Sequence, residues 1–409
     1  MAVVKPFSAY RPRTDIVDKV AALPYDVYNR KEAKEAVAGN PLSFLRIDRA
    51  ETAFDDDMDM YSPEVYAKAK ELLDGMIDRG EYIKEDKPVY YIYELVMDGR
   101  AQTGIVACAS IDDYINGVIK KHENTREEKE IDRITHVDTC NAQTGPIFLA
   151  YRAKDTIDSV VAKVKEGKAL YSFVSEDGIG HSVWVISDDK DIETIKDEFE
   201  RLSDIYIADG HHRAASAVKV GIKRRNENAD AEYRESDYFL SVLFPHNQLK
   251  ILPYNRVIKD LNGYTEEEFF EKIKEKFDIE EKADKFQPEE KCTFGMYISG
   301  KWYKLTAKQD IRVDDPVLGL DVSILQNNLL DPILGIKDPR TDKRIDFVGG
   351  IRGLLELEKR ANSDMKIAFS MYPTSIDELF SVADAKLLMP PKSTWFEPKL
   401  RSGIFIHKL

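Results

Sequence analysis

The sequence predicts an α+β protein in which mixed β-sheets are flanked by helices. Three observations carry that expectation. Apolar runs of β character at 89–95, 103–109 and 238–244 alternate with segments of helical spacing, such as Val65, Ala69, Leu72, Leu73, Met76 and Ile77. The pairs Asp98-Gly99 and Ser299-Gly300 lie between apolar runs, which is a hairpin signal. At 205–219 an apolar run, Ile205-Tyr206-Ile207-Ala208, meets Asp209-Gly210-His211-His212-Arg213. A helix-forming stretch, Ala214 to Lys219, follows at once, so the reading there is strand, tight turn, helix.

Composition bounds the function. The 409 residues suffice for two or three domains or one elaborated domain. Hydrophobic content of 43% and charged content of 33% describe a folded globular chain. A net charge of −14 disfavours nonspecific attraction to nucleic acid or anionic lipid, yet permits a small anion in a local basic pocket. Cys108, Cys140 and Cys292 show no zinc-ligand spacing and are expected as small buried hydrophobes. No signal core opens the chain and no stretch holds the ~20 apolar residues of a membrane span. A cytoplasmic protein is expected, without membrane or nucleic-acid partners.

Taken in order, residues 5–30 read as extended segments broken by prolines, and 30–38 as a short helix ended by Gly39-Asn40-Pro41. A short strand is expected at 43–47. Ser62-Pro63 opens the helix at 63–77 with serine as cap, and Gly80 stops it. The polar run from His122-Glu123-Asn124-Thr125 to Arg133 reads as a helix. It is either a solvated face or, with His122, Glu123 and Thr125 at its start, part of a cleft. Asn141 to Pro146 is a polar turn before a strand at 147–151. His181 lies in a β context and is expected to be structural. The chain is expected to turn at His246-Asn247 and return as a strand at 249–252. The charged stretch 264–290 reads as helical, with Thr265 as cap, and its shift in composition marks a domain boundary. An apolar helix at 320–330, a long loop at 331–344, and strand–helix pairs to residue 382 complete the second portion. The tail, Met389 to Lys399, has paired prolines. Its Lys392 and Lys399, with Ser393 and Thr394, have the chemistry to grip phosphate oxygens.

The corner at 209–213 concentrates the chemistry. Gly210 permits a backbone geometry that larger residues resist. The helix start offers unpaired N–H groups and the positive end of its dipole, a site for phosphate or carboxylate. Asp209, His211, His212 and Arg213 add a carboxylate, two groups that titrate near neutrality, and a permanent cation. The plainer reading is a capped helix with polar side chains in solvent. A metal site of His211, His212 and Asp209 is disfavoured, because adjacent side chains diverge.

These residues carry a resemblance. Ala208-Asp209-Gly210-His211-His212-Arg213, His122-Glu123-Asn124-Thr125, Gly145-Pro146-Ile147-Phe148 and Pro391-Lys392-Ser393-Thr394 together resemble the bacterial and archaeal domain-of-unknown-function family ten-fifteen, over essentially the whole chain. The Asp-Gly-His-His-Arg corner is also similar to the signature of the ParB/sulfiredoxin superfamily, which includes kinases of free serine. That similarity implies a ParB/sulfiredoxin-like core with insertions, plus a C-terminal α/β portion. The expected division is a nucleotide-binding portion at 1–255 and a C-terminal portion at 256–409 whose tail loop returns to the site.

Carried over, the resemblance implies that Gly210, His212 and Arg213, with Thr125, Lys392, Ser393 and Thr394, hold a nucleotide's phosphates. Asp209, Glu123, His122 and His211 are the catalytic candidates. Sulfiredoxin chemistry needs a cysteine in the corner, and none is there. The expected activity is a nucleotide-dependent phosphotransferase acting on a small hydroxyl metabolite, with L-serine the leading acceptor. ATP or ADP and Mg²⁺ are the expected cofactors, with no metal ligand assigned. The alternative is a non-catalytic nucleotide sensor using the same pocket. Oligomeric state is not legible.

Overall fold

Two units make up the chain in the computed structural model, which describes residues 1–231 and 233–409. The first comprises Met1–Leu249 and Pro398–Leu409; the second is Lys250–Glu397. The architecture is α+β with mixed sheets, as the interleaved pattern predicts.

The first unit is built on a nine-stranded sheet. Its strands run in the order Ile119–Lys120, Ile205–Asp209, Ile147–Tyr151, Tyr238–Pro245, Arg100–Ser110, Tyr90–Met97, Gly180–Ile186, Tyr171–Val174, with Val4–Lys5 also on Arg100–Ser110. Ile205–Asp209 is parallel to Ile119–Lys120, and Tyr238–Pro245 is parallel to Ile147–Tyr151. The other pairings are antiparallel. Side chains alternate between the two faces of a strand. Ile92, Ile105, Ile147, Leu149, Ile205 and Ile207 therefore share one face, where they meet Ile157, Ile195, Phe199, Ala214 and Val218 from three helices, Asp155–Lys165, Asp189–Glu200 and His211–Glu227. Full burial of each such aliphatic or aromatic side chain contributes about 1.5–3 kcal/mol. A second cluster joins Ala33, Leu45, Leu73, Cys140 and Ile406 beneath the N-terminal helices.

The tail returns to this unit by pairing. His407–Lys408 is antiparallel to Ala142–Gln143, and Ile406 bridges Tyr10. Residues 398–409 thus belong to the first unit, whereas the expected C-terminal portion ran from 256 to 409. The pairing involves residues far apart in sequence, which composition does not register.

The second unit has a six-stranded antiparallel sheet, in the order Phe277–Lys282, Lys301–Ala307, Thr293–Ile298, Ile367–Met371, Tyr254–Ile258, Ile345–Gly349. The helix Gly353–Ala361 packs against it through Leu357.

Several local expectations change. Residues Leu45–Asp48 form a short helix rather than a strand: Phe44, Leu45 and Ile47 enter the N-terminal core and Asp48 is buried too, a spacing that one helical face provides and an alternating strand does not. The helix of the polar run begins at Glu127, leaving 121–126 as an extended loop. Phe277–Lys282 is a strand, where the charged composition suggested helix; edge pairing with Lys301–Ala307 overrides it. Ile251–Leu252 pairs with Trp395–Phe396 rather than returning along Tyr238–Pro245. Thr265 caps its helix through a reciprocal bond with Glu268, but the Ser62 side chain makes no cap bond. Cys108 and Cys140 are buried, and burial pushes the Cys140 thiol up to about 12. Among the described residues no helix is long and apolar enough to cross a membrane.

Candidate functional site

The strand Ile205–Asp209 is buried through Ala208 and then breaks register. Ile207 sits opposite Leu149 and Asp209 opposite Phe148, so an irregularity falls immediately before the turn. Such bulges re-aim the side chains that follow them. Gly210 then takes φ +94°, and His211–Glu227 begins. The first helical bond is Ala214 N–H to the Gly210 carbonyl, so the N–H groups of His211, His212 and Arg213 have no acceptor within the helix.

A β-carbon on residue 210 would lie 3.2 Å from the Arg213 guanidinium. The turn therefore needs glycine twice, for its left-handed backbone and for the arginine lying across it. Gly210→Ala is expected to cost about 1–2 kcal/mol and to displace Arg213. Thermal unfolding together with phosphate binding checks both.

The loop 121–126 folds onto this corner. The His122 ring packs edge-on against His211 with centroids 4.4 Å apart, and the His122 N–H points to His211 Nε2 at 3.4 Å. With Nε2 accepting, His211 carries its proton on Nδ1, which faces Glu123 Oε2 at 3.7 Å. His212 Nε2 accepts the Arg126 N–H at 3.0 Å. The Thr125 hydroxyl and Lys219 both bind the Glu130 carboxylate. Thr125 is thereby committed to holding the loop on the helix, and its expected phosphate contact would compete with that bond. The two adjacent histidines look to different partners. Among the described residues no group of three or more histidine, cysteine, aspartate or glutamate side chains could hold a metal ion.

The C-terminal segment supplies a cation. Lys399 Nζ donates to Asp209 Oδ2 at 2.9 Å, while Asp209 Oδ1 accepts the Gly210 N–H at 2.8 Å. Burial opposes ionisation of Asp209, but Lys399 and then Arg213 outweigh it and hold the carboxyl well below the usual carboxylate range. That carboxylate is stabilising above the unfolded aspartate pKa, near 4, and its contribution is lost as pH falls toward the folded value. Lys399→Met is expected to cost about 1–2 kcal/mol at pH 7, reduced from a fully buried pair because a third of the Asp209 side chain is open. It should also flatten the acid limb of stability. Denaturant melts of both proteins between pH 3 and 7 measure this.

Burial acts in the opposite sense on the imidazoles. It lowers His211 to about 4, and burial followed by His211 lowers His122 to about 3. Both are neutral at pH 7. Neither ring nitrogen of His122 makes a hydrogen bond, although the Ile207 carbonyl is near enough to favour its protonation slightly. In the unfolded chain these rings take protons below about pH 6.5. Stability is therefore full above that value and falls as pH drops from 6.5 toward 4, by about 1–2 kcal/mol per ring at pH 5. His122→Gln should remove its share of that slope, as read from pH-resolved melts.

Arg213 is half-buried. Its Nη1 donates to the Pro146 carbonyl at 2.6 Å. On its inner side lies a cavity of about 30 Å³ bounded by Asp48, Arg133, His136, Thr144 and Ser402, room for about two waters. The Thr144 hydroxyl donates to buried Asp48 at 2.8 Å, and Arg133 pairs with Asp132 and stacks on Tyr25. Asp48 lies in no recognisable motif, and Arg133 was visible only as the end of the polar run. Lys399 was visible only as one of two tail cations.

The structure thus brings His122, Glu123, Asp209, Gly210, His211, His212 and Arg213 together, with Thr125 on the same loop but bonded to Glu130. Lys392, Ser393 and Thr394 belong to the second unit, where Ser393 is buried and its hydroxyl donates to the Pro390 carbonyl at 2.6 Å. His181, in the first unit, bonds Tyr93 and Ser175 and stacks on Phe173, a structural role.

Solved structures that match the chain include a free serine kinase variant in complex with AMP, at 14% identity and TM-score 0.36, covering 74% of this chain and 92% of that one. A free serine kinase variant in complex with ADP matches at 15% identity and TM-score 0.35, covering 75% and 93%. A conserved hypothetical protein from Pyrococcus furiosus matches at 15% and 0.34, covering 74% and 94%. No curated protein matches the sequence. The model of the DUF1015 family, described as a protein of unknown function, matches residues 4–323. That span takes in well over half of the chain and includes the whole corner with its histidine loop, and the protein belongs to this family.

Proposed function

We propose that the protein is a phosphotransferase that moves a phosphoryl group from a nucleotide donor, ATP or ADP, to a small hydroxyl metabolite, with L-serine the first acceptor to test. The observation that supports this most is the docking of the loop 121–126 on the helix start. It sets the Glu123 carboxylate beside neutral His211, at the helix start that carries Arg213, where the N–H groups of residues 211–213 have no acceptor within the helix. Phosphoryl transfer asks mainly for positioning and charge stabilisation, and these groups supply both.

In this reading the acceptor hydroxyl oxygen attacks the terminal phosphorus. The bond from phosphorus to the bridging oxygen breaks, and the shortened nucleotide leaves with that electron pair. The hydroxyl proton passes to Glu123. His211, with Nδ1–H toward Glu123, orients that carboxylate. Arg213 and the N–H groups of residues 211–213 take the charge on the transferring oxygens. Asp209 is the weaker base, since Lys399 holds it ionised and occupied. Two carboxylates lie among the cations Arg213, Lys399 and Lys121, so the corner is less cationic than the motif alone suggests. A donor arriving with Mg²⁺ satisfies both signs. Magnesium is commonly held mainly by the donor's own phosphates; with Glu123 taking the proton and Asp209 held by Lys399 and the Gly210 N–H, no protein ligand is assigned to it. When bound it would neutralise charge on the donor phosphates.

The test is turnover. Full-length protein with Mg²⁺ and L-serine is incubated with ATP, ADP or inorganic pyrophosphate, and phosphoserine is followed by phosphorus NMR. The donor without a nucleoside separates recognition of phosphates from recognition of the base. Product with any donor supports transfer at this site. Tight nucleotide binding without turnover across a panel of small alcohols would make the protein a sensor instead.

A further inference from the structure

The second unit buries an arginine that has no anionic partner. Arg256, in the strand Tyr254–Ile258, is 4% exposed. Its guanidinium donates to the Tyr254 carbonyl through Nη1 and to the Lys392 carbonyl through Nη2, the latter at 3.1 Å. Both acceptors are neutral, and among the described residues no carboxylate lies within ion-pair distance of it. A guanidinium has five N–H donors, so these two bonds leave capacity unused. A buried charge is costly unless it is paired. Burial accordingly lowers Arg256 to about 10, with only Tyr254 opposing.

A second cation lies in the same patch. Lys392 Nζ sits 5.4 Å from the Tyr254 ring centre, and the Arg256 guanidinium sits 5.5 Å from that of Phe347. The two rings are 5.9 Å apart, and Trp395 packs edge-on to Tyr254 at 4.9 Å. Lys392 is exposed and also makes no ion pair among the described residues. The carboxylate nearest in sequence, Glu397, accepts from the Trp395 indole at 2.8 Å. The loop carrying Lys392 is fixed from below: Ser393 bonds the Pro390 carbonyl, and the Thr374 hydroxyl bonds the Ser393 carbonyl at 3.0 Å.

We propose that Arg256 and Lys392 form an oxyanion site of the second unit that takes a phosphate group. Two cations match a phosphate dianion better than a carboxylate, and arginine's fork fits its oxygens. The Tyr254 ring beside Lys392 gives an attached organic group an aromatic wall. This site is independent of the corner in the first unit and does not rest on the activity proposed there.

Equilibrium dialysis of the full-length protein against radiolabelled inorganic phosphate tests it, with ATP and acetate as competitors. Arg213→Ala removes the corner's contribution and is expected to leave phosphate binding at the second-unit site. In that background Lys392→Ala should weaken binding at least tenfold and Lys392→Glu should abolish it. Because Lys392 is exposed, both variants should fold, and unchanged melts confirm it. ATP should compete and acetate at the same concentration should not. No phosphate binding by Arg213→Ala at millimolar concentration, or equal binding by the Lys392 variants, overturns the proposal. Equal competition by acetate overturns its assignment to phosphate.

Discussion

Glu123→Gln is expected to reduce phosphoryl-transfer turnover by about 10²–10⁴-fold, the usual contribution of a positioned general base, with donor binding little changed. Glutamine has the same length and can keep the contact with His211 Nδ1–H, but it cannot take the acceptor proton. Glu123 is half-exposed and outside any packed cluster, so the variant should melt with the parent protein. Steady-state kinetics separate the effects: kcat falls and KM for the donor stays. His211 and His122 are already neutral above about pH 5, so the rate should show no break from them between pH 6 and 8. Full activity of Glu123→Gln would move the base elsewhere, and Asp209 would then need to be freed from Lys399 to serve.

Arg213→Ala is expected to lower turnover by about 10²–10³-fold, the loss seen when one donor to a developing oxyanion is removed. Here donor binding should weaken as well, since the guanidinium is also the corner's permanent cation. Arg213 holds the Pro146 carbonyl by one bond and lies over Gly210. Its removal takes that donor from the carbonyl of buried Pro146, beside a cavity with room for a replacement water. The stability cost should therefore be small, about 0.5–1.5 kcal/mol. Lysine at this position keeps the charge but not the fork, and should recover only part of the activity. Parallel titrations with nucleotide and turnover assays on both variants read these effects. Binding and turnover equal to the parent protein would remove the corner from the mechanism.

The two variants probe different parts of one juxtaposition. The helix start and Arg213 are local in sequence and could be read together. Glu123 reaches them through a loop whose position depends on the pairing of Ile119–Lys120 with Ile205–Tyr206 and on Glu130 gripping Lys219. Arrangement of that kind comes from contacts between distant residues, and local propensity does not encode it.

The amino-acid order by itself determined the alternation of strands and helices, the glycine turn at 210, and the concentration of ionisable groups in 122–125 and 209–213. Those follow from short-range sterics, periodicity and the demands of a left-handed backbone. Tertiary structure alone decided that His122 would lie wholly buried against His211 and that Lys399 would neutralise Asp209. It also turned 45–48 into helix and 277–282 into strand, where burial and edge pairing outweighed local preference. The balance of charge at the corner belongs to the second group. A motif shows which charges it carries, while the partners that offset them arrive from elsewhere in the chain.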